Sequence, residues 1–393
     1  MRSNRKVFAC TSLILCLGLF TGCWDRIELD DLALVMASGI DLAEDGQIEA
    51  TLQIALPTGI PSALQTGAKG ARPVLVVSAK GKDGMDALGR LQMQLSRKIF
   101  LGHRGIVVFG EKYARQGLDT VLSALLRSPD SRYNSYVLTA YGTTAKEILN
   151  TPYQLEQIPA IGLNKIQFGE VSLSFKIDEF LNAVGSSGSA PITGAVRIIK
   201  TGSGQRTFTI DKAAVYRENK LVGFLSDKEL NAKRWWHGEA AGMRLTVKVE
   251  PKTKEFNGTV TADILSGTKM VRTTIKNGRP EASIALKATV TVMGNNTKLD
   301  ISKVKNMKRV EKKLEEDVRK LFEDTISRSQ KWKADIFSFG REVHIEHPLQ
   351  WKKLKDRWPD IYAEMPVKVK VDIQIERMGR TQAPAHLRQE RMR

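Results

Sequence analysis

Cys23 is the residue whose chemistry is easiest to name. Its thiol follows Phe20-Thr21-Gly22, at the end of an apolar run of 14 residues from Val7 to Phe20. Arg2, Arg5 and Lys6 stand ahead of that run. A basic start, a short apolar stretch and small residues at a cleavage point make an export signal, and the stretch is too short to span a bilayer comfortably. A cysteine placed there is the nucleophile needed to form a thioether to diacylglycerol. Cleavage before it would make Cys23 a lipid-bearing N-terminus, although position −3 is Phe20 where Leu is usual. The expectation is that residues 1–22 are removed and that two acyl chains, enough for stable anchoring, hold the rest. Cys10 and Cys16 lie in the removed segment. The mature chain then has no free thiol for a disulfide or a thiolate metal site.

Other residue sets argue against catalysis. The histidines are His103, His237, His344, His347 and His386, and His344-Ile345-Glu346-His347 is the one local cluster. In an extended reading His344 and Glu346 share a face while His347 points away, so the three do not converge on a metal. Gly202-Ser203-Gly204 lacks the Gly-Lys-Ser/Thr ending of a phosphate loop. No Gly-x-Ser-x-Gly elbow occurs. The expectation is a chain with no catalytic residues, no metal and no cofactor.

The unusual residues are aromatic. Trp235, Trp236 and His237 form one run, and Phe337, Phe339 and Trp351 fall in another. Gly223, Gly238, Gly340 and Pro348 stand close by and suggest turns. Rings on loops make strong interface anchors, so these six residues are the candidates for docking a partner, with core packing the competing use for most of them.

The formal charge is +18, and +15 once Arg2, Arg5 and Lys6 are gone. Such a surface is drawn to an anionic membrane. The basic residues are spread along the chain rather than clustered, and an export signal keeps the protein away from nucleic acid, so nucleic acid is not the expected partner.

Hydrophobic periodicity gives the elements that must position these residues. Leu32 to Ile40 reads as a strand, Asp45-Gly46 as a turn, and Ile48, Ala50, Leu52 and Ile54 as one face of a second strand. Val74–Val77, Ile106–Phe109, Val137–Tyr141 and Ala195–Ile199 read as further strands. Helices are expected over Met85–Lys98, Glu111–Leu126, Ala145–Asn150 and Lys176–Ala183, and Gly185–Pro191 as a flexible loop. Thr201–Gly204 marks a domain boundary. Beyond it come a hairpin around Arg217–Lys220 and strands at Leu245–Val249, Gly258–Ile264, Met270–Ile275 and Ala282–Val292. A long amphipathic helix follows over Ser302–Gln330, with Val304, Met307, Val310, Leu314, Val318, Leu321 and Thr325 on its apolar face. Coiled-coil pairing is the alternative use of that face. A last strand runs from Pro366 to Ile375. The reading is a multi-domain α+β protein of mixed sheets and packed helices. It has a signal at 1–22, an N-terminal α/β region at 23–200 with a sub-boundary near 143, a C-terminal α+β domain at 205–379 and a disordered basic tail at 380–393.

Several of these residues together resemble the Ger(x)C family, the C-subunit lipoproteins of spore germinant receptors. The resemblance starts at Gly22-Cys23-Trp24-Asp25-Arg26-Ile27-Glu28-Leu29 and runs through Leu32-Ala33 to Gly39-Ile40-Asp41. It resumes at Gly102-His103-Arg104 with Val107-Val108-Phe109-Gly110, and at Leu221–Leu225 with Glu229 and Trp236-His237-Gly238. Its most specific stretch is Asp335-Ile336-Phe337-Ser338-Phe339-Gly340, followed by His347-Pro348-Leu349-Gln350-Trp351 and Trp358. The order and spacing of these pieces carry the resemblance. It implies a non-catalytic lipoprotein on the outer face of the spore's inner membrane. Two integral membrane subunits, A- and B-type, would be its partners in sensing nutrients and triggering germination. A solute-binding lipoprotein of a transporter is the alternative, and would show two Rossmann-like lobes.

Overall fold

The computed structural model describes residues 28–56, 73–127, 134–168, 175–254 and 257–377. The expected export signal, Cys23, His386 and the expected basic tail lie outside them. Three strands, β1 (Leu32–Leu42), β2 (Ile48–Ala55) and β3 (Val74–Gly81), pair as an antiparallel meander. Helix α1 (Gly84–Gln92) follows, its N-terminus capped by the Asp83 carboxylate, which accepts from the Met85 and Asp86 amides at 2.9 Å. The helix expected to reach Lys98 stops at Gln92. The Gln92 side chain donates to Arg97 O and accepts from Ile99 N, both at 2.9 Å, which turns the chain into β4 (Lys98–Phe100).

Strand β5 (Ile106–Phe109) leads to α2 (Glu111–Gln116) and α3 (Asp119–Arg127). One helix was expected over this stretch. Gly117 divides it, because its φ of 132° is not helical. Then come β6 (Tyr136–Ala140), α4 (Ala145–Leu149), α5 (Pro159–Phe168), α6 (Ile177–Val184), β7 (Ile192–Lys200), β8 (Arg206–Arg217) and β9 (Lys220–Leu225). These strands form one nine-stranded sheet in the order β3-β2-β1-β5-β6-β7-β8-β9, with β4 also beside β1. The centre, β1-β5-β6-β7, is parallel, and the flanks are antiparallel. All four residues of β5 are fully buried because helices cover both faces. Val107 and Phe109 pack with Tyr113, Leu122 and Phe180. Ile106 and Val108 pack with Ile148 and Leu163.

The boundary expected at Thr201–Gly204 falls inside this sheet. The turn there joins β7 to β8, and their pairing runs from Ile192↔Val215 to Lys200↔Arg206. A Gly/Ser turn serves a hairpin as well as a linker, and the change of sheet comes only after Leu225.

Helix α7 (Asp227–Trp236) bridges to a second sheet, built from β10 (Arg244–Lys248), β11 (Thr259–Lys276) and β12 (Arg279–Asn296). The two strands expected at 258–264 and 270–275 are one strand of 18 residues. Helix α8 (Val304–Lys331) follows, then α9 (Phe339–Glu346), α10 (Pro348–Leu354), α11 (Trp358–Glu364) and β13 (Val367–Arg377). The sheet order is β10-β11-β12-β13, with β13 parallel to β12. The α8 face carrying Val310, Leu314, Val318 and Phe322 is buried in a core with Ile284, Leu286, Val290 and Ile373. Its intended partner is therefore the sheet. Val304, expected on that face, is exposed at the helix start, and Phe322, next to the expected Leu321, is the residue that enters the core. The architecture is α+β. Among the described residues no helix is long and apolar enough to cross a membrane.

Candidate functional site at the junction of the two sheets

The core of the second sheet also takes in Ala190, Ile192, Ala213, Val215 and Leu225 from the first. At this junction the most specific stretch of the sequence, Asp335–Gly340, meets the Gly185–Pro191 loop. Helix α7 enters it through a capping box: Ser226 Oγ accepts from Glu229 N at 3.4 Å and Ser226 N donates to Glu229 Oε2 at 2.8 Å. Arg328 of α8 donates to the same Glu229 Oε2 at 3.0 Å. These contacts fix the helix and direct its last turn, Lys233 to Trp236, inward.

The structure brings four of the six proposed docking residues together, but in the core. Trp236 packs edge-on against Phe337 and Phe339, with ring centroids 5.0 and 5.5 Å apart, and Trp235 against Phe322 at 6.1 Å. Trp351 lies apart from them, against Trp358 at 5.2 Å and stacked on His344 at 5.8 Å. Trp235, Trp236, Phe337, Phe339 and Trp351 are all buried. They are not surface anchors. The glycines that suggested loops instead permit close packing, and Trp235 and Trp236 stand on a helix covered on both sides. His237 alone of the six is exposed.

Asp335 is the centre of the junction. Its Oδ2 accepts from Gly340 N at 2.8 Å and from Trp358 Nε1 at 3.0 Å, and its backbone carbonyl accepts from Ala190 N at 2.8 Å. Its Oδ1 has no hydrogen-bond partner among the described residues. Burial pushes its pKa up to about 6, against those hydrogen bonds and the nearby Lys233 charge. Lys233 is 4% exposed and its Nζ donates to Ile336 O. Burial pushes its pKa down to about 7, with Lys269 adding to the fall and Asp335 opposing it. Lys269 Nζ in turn lies 5.0 Å over the Trp236 ring. His237 rests edge-on against Phe175 at 5.6 Å. Desolvation of the ring side that faces the cavity, then the Lys233 and Lys269 charges, push its pKa down.

The loop side is equally close. Gly188 O accepts from Arg341 N at 3.2 Å, and Ser189 Oγ and Ser338 Oγ share a hydrogen bond of 2.8 Å. Ser338 holds a left-handed φ of 58° at the start of α9. The segment expected to be flexible is thus bound at both ends of its Gly-Ser-Ala run.

The histidine cluster is helical rather than extended. His344 belongs to α9, Glu346 Oε2 accepts from Thr273 N at 2.7 Å, and His347 Nε2 lies 3.2 Å from Thr273 O at the start of α10. The cluster fastens α9 to β11. Sequence reading missed Lys233, and it named Asp335 in the most specific stretch without giving it a role. The Ser226-x-x-Glu229 capping box was the available signal for α7, and hence for Lys233.

A second family motif has its own geometry. Asp41, from Gly39-Ile40-Asp41, accepts from Ala145 N and Lys146 N at 2.9 Å and so caps α4 across the sheet. A Cβ on Gly110 would lie 1.9 Å from Asp41 Oδ1, so only glycine admits this carboxylate.

A nine-stranded and a four-stranded sheet sharing one core define a two-sheet α+β protein like the GerBC protein. The solved structure of GerBC matches with a TM-score of 0.53 and 20% identity, over 89% of this chain and 100% of that one. The family model described as the spore germination protein N-terminal domain matches residues 25–198, and the one described as spore germination B3/GerAC-like, C-terminal, matches residues 211–379. The chain belongs to the Ger(x)C family. Spore germination protein KC of Bacillus subtilis (strain 168) is 29% identical over 95% of this chain and 96% of its own length. Spore germination protein B3 of the same organism is 26% identical over 91% and 94%.

Proposed function

We propose that this chain is the lipid-anchored C-type subunit of a nutrient germinant receptor. It acts without catalysis, beside two integral membrane subunits, to trigger spore germination. The observation that carries the reading is the run of two consecutive germination-protein models along almost the whole chain after residue 24. Relatives named as spore germination proteins match over nearly their full lengths, which supports the same role for the whole chain. The junction geometry agrees with a structural or signalling part: Asp335 Oδ2, the Asp335 carbonyl and the Lys233 ammonium bond to Gly340, Trp358, Ala190 and Ile336 and so hold the two sheets together. Attachment at Cys23 supplies the membrane location, on the outer face, in place of a spanning helix.

Two experiments test it. Spores carrying Cys23→Ala should release the protein from the membrane fraction, and spores lacking the chain should fail to germinate on a nutrient that the intact receptor answers. Membrane-bound protein with an unmodified Cys23 thiol in mass spectrometry would remove the anchor. Normal germination of the deletion strain on every nutrient tried would remove the receptor role.

A further inference from the structure

Between the two sheets lies a cavity of about 640 Å³. Its wall is made by α6, the Gly185–Pro191 loop, the start of β7, the end of α7 and the start of α9. That volume is in the range of small-molecule sites. Phe175, Phe180 and Ile192 give it an apolar side, and Lys233, His237 and Arg341 give it nitrogen groups.

Lys233 is the informative member. An ammonium has three donors, and this one, 4% exposed, has a single hydrogen-bond acceptor among the described residues, Ile336 O. A buried amine with donors to spare, on the wall of a cavity, has room for an anionic oxygen, which would also hold it in the charged form. Asp335 is near but does not supply it: its Oδ2 is taken by Gly340 and Trp358, its Oδ1 bonds to none of the described residues, and no Lys233–Asp335 ion pair forms within 4 Å. Arg341 adds a guanidinium with no salt bridge to the described residues, while Glu179 and Glu239 also line the wall and would repel a dianion. His237 is held neutral and offers a polar contact without charge.

We propose that this cavity binds a small organic monocarboxylate with an apolar body, its carboxylate on Lys233 with Arg341 and its apolar part against Phe175, Phe180 and Ile192. The occupant would touch elements of both sheets, so its binding would tighten the junction. The inference goes beyond the receptor reading and stands apart from it: loss of germination with intact carboxylate binding would touch only that reading.

The test uses the whole mature chain with Cys23→Ala, so that no lipid interferes. Isovalerate and phenylacetate are titrated by calorimetry and thermal shift, with isovaleramide and phenylacetamide as uncharged controls. The carboxylates should give saturable binding and raise the melting temperature, and the amides should not. Lys233→Met should weaken binding by at least about tenfold, equal to ~1.4 kcal/mol. Arg341→Gln, at an exposed position that leaves the fold intact, should weaken it to a smaller degree and guards against misfolding of the Lys233 variant. Equal binding of acid and amide overturns the proposal, as does binding unchanged in both variants or no saturable binding by either acid.

Discussion

Gly188 and Gly340 meet backbone to backbone across the junction. A Cβ on Gly340 would lie 2.5 Å from Gly188 Cα and 2.7 Å from Trp358 Nε1, and a Cβ on Gly188 would lie 2.7 Å from the Gly340 carbonyl carbon. Neither contact can relax by swinging a flexible side chain. Gly340→Ala should therefore force apart the loop and α9, at a cost of about 1–3 kcal/mol. Gly202→Ala, with nothing within 4 Å of its Cβ, is the matched control and should stay within about 0.5 kcal/mol of wild type. Urea unfolding followed by tryptophan fluorescence separates the two. Equal midpoints for the two variants would refute the close approach.

The burial of the aromatic cluster makes a second prediction. Trp236→Ala removes a ring that packs on Phe337 and Phe339 and should cost about 3–5 kcal/mol, seen as a lower melting temperature or loss of soluble protein. His237→Ala, next in sequence and exposed, should move stability by no more than about 1 kcal/mol. A Trp236→Ala protein as stable as wild type that fails only to assemble with partners would return Trp236 to the surface.

Much of the fold was legible because apolar residues mark one face of an element and polar residues the other. Ile48, Ala50, Leu52 and Ile54 alternate with polar residues, which marks β2 although Thr51 and Gln53 between them are buried too, and the Val310–Leu314–Val318 stripe placed α8. The reading weakened where burial is two-sided or where one residue redirects the chain. Helix α7 has Glu229, Lys233 and Arg234 buried beside Trp235 and Trp236, so it shows no polar face to mark its period. Gly117 and the Gln92 side chain end helices whose apolar spacing carries on past them. The docking assignment failed for a related reason. Glycine beside an aromatic ring marks a loop in some folds and a close backbone contact in others, and only the partner strand of chain, Gly185–Pro191, decides which.

Lys233 sets a pH dependence whose sign follows from burial. Its folded pKa, about 7, lies below the unfolded value of 10.5, so between these the unfolded chain binds the extra proton. Stability from this group is complete above the unfolded value and is lost as pH falls through about 7, with a slope of at most ~1.4 kcal/mol per pH unit. Asp335 acts lower: its folded pKa of about 6 exceeds 3.8, so its contribution is present below 3.8 and is lost as pH rises through about 6. Urea midpoints measured from pH 7 to 10 should rise in wild type and rise less in Lys233→Met. Parallel curves for the two proteins would show that the ammonium is not buried as described.

The exposed edge of the second sheet gives the last prediction. Strand β13 pairs with β12 on one side only, and an unpaired edge invites another chain. Here α8 shields it with carboxylates: Glu315 Oε1 accepts from Ile373 N at 3.2 Å and Glu311 Oε1 from Ile375 N at 2.9 Å. The spacing of four residues on a helix matches the spacing of two on a strand, since each brings successive groups to one side. The carboxylates satisfy two outward amides and place negative charge where a foreign strand would have to lie. The double variant Glu311→Ala/Glu315→Ala should lose about 2–4 kcal/mol if both amides are left without an acceptor, and less where water reaches them. It should also self-associate, because the edge then offers free donors with no charge to repel a second copy. Light scattering on the mature Cys23→Ala chain reads the association, and urea unfolding at low concentration reads the stability. A double variant that stays monomeric with an unchanged midpoint would mean that these carboxylates neither hold nor guard the edge.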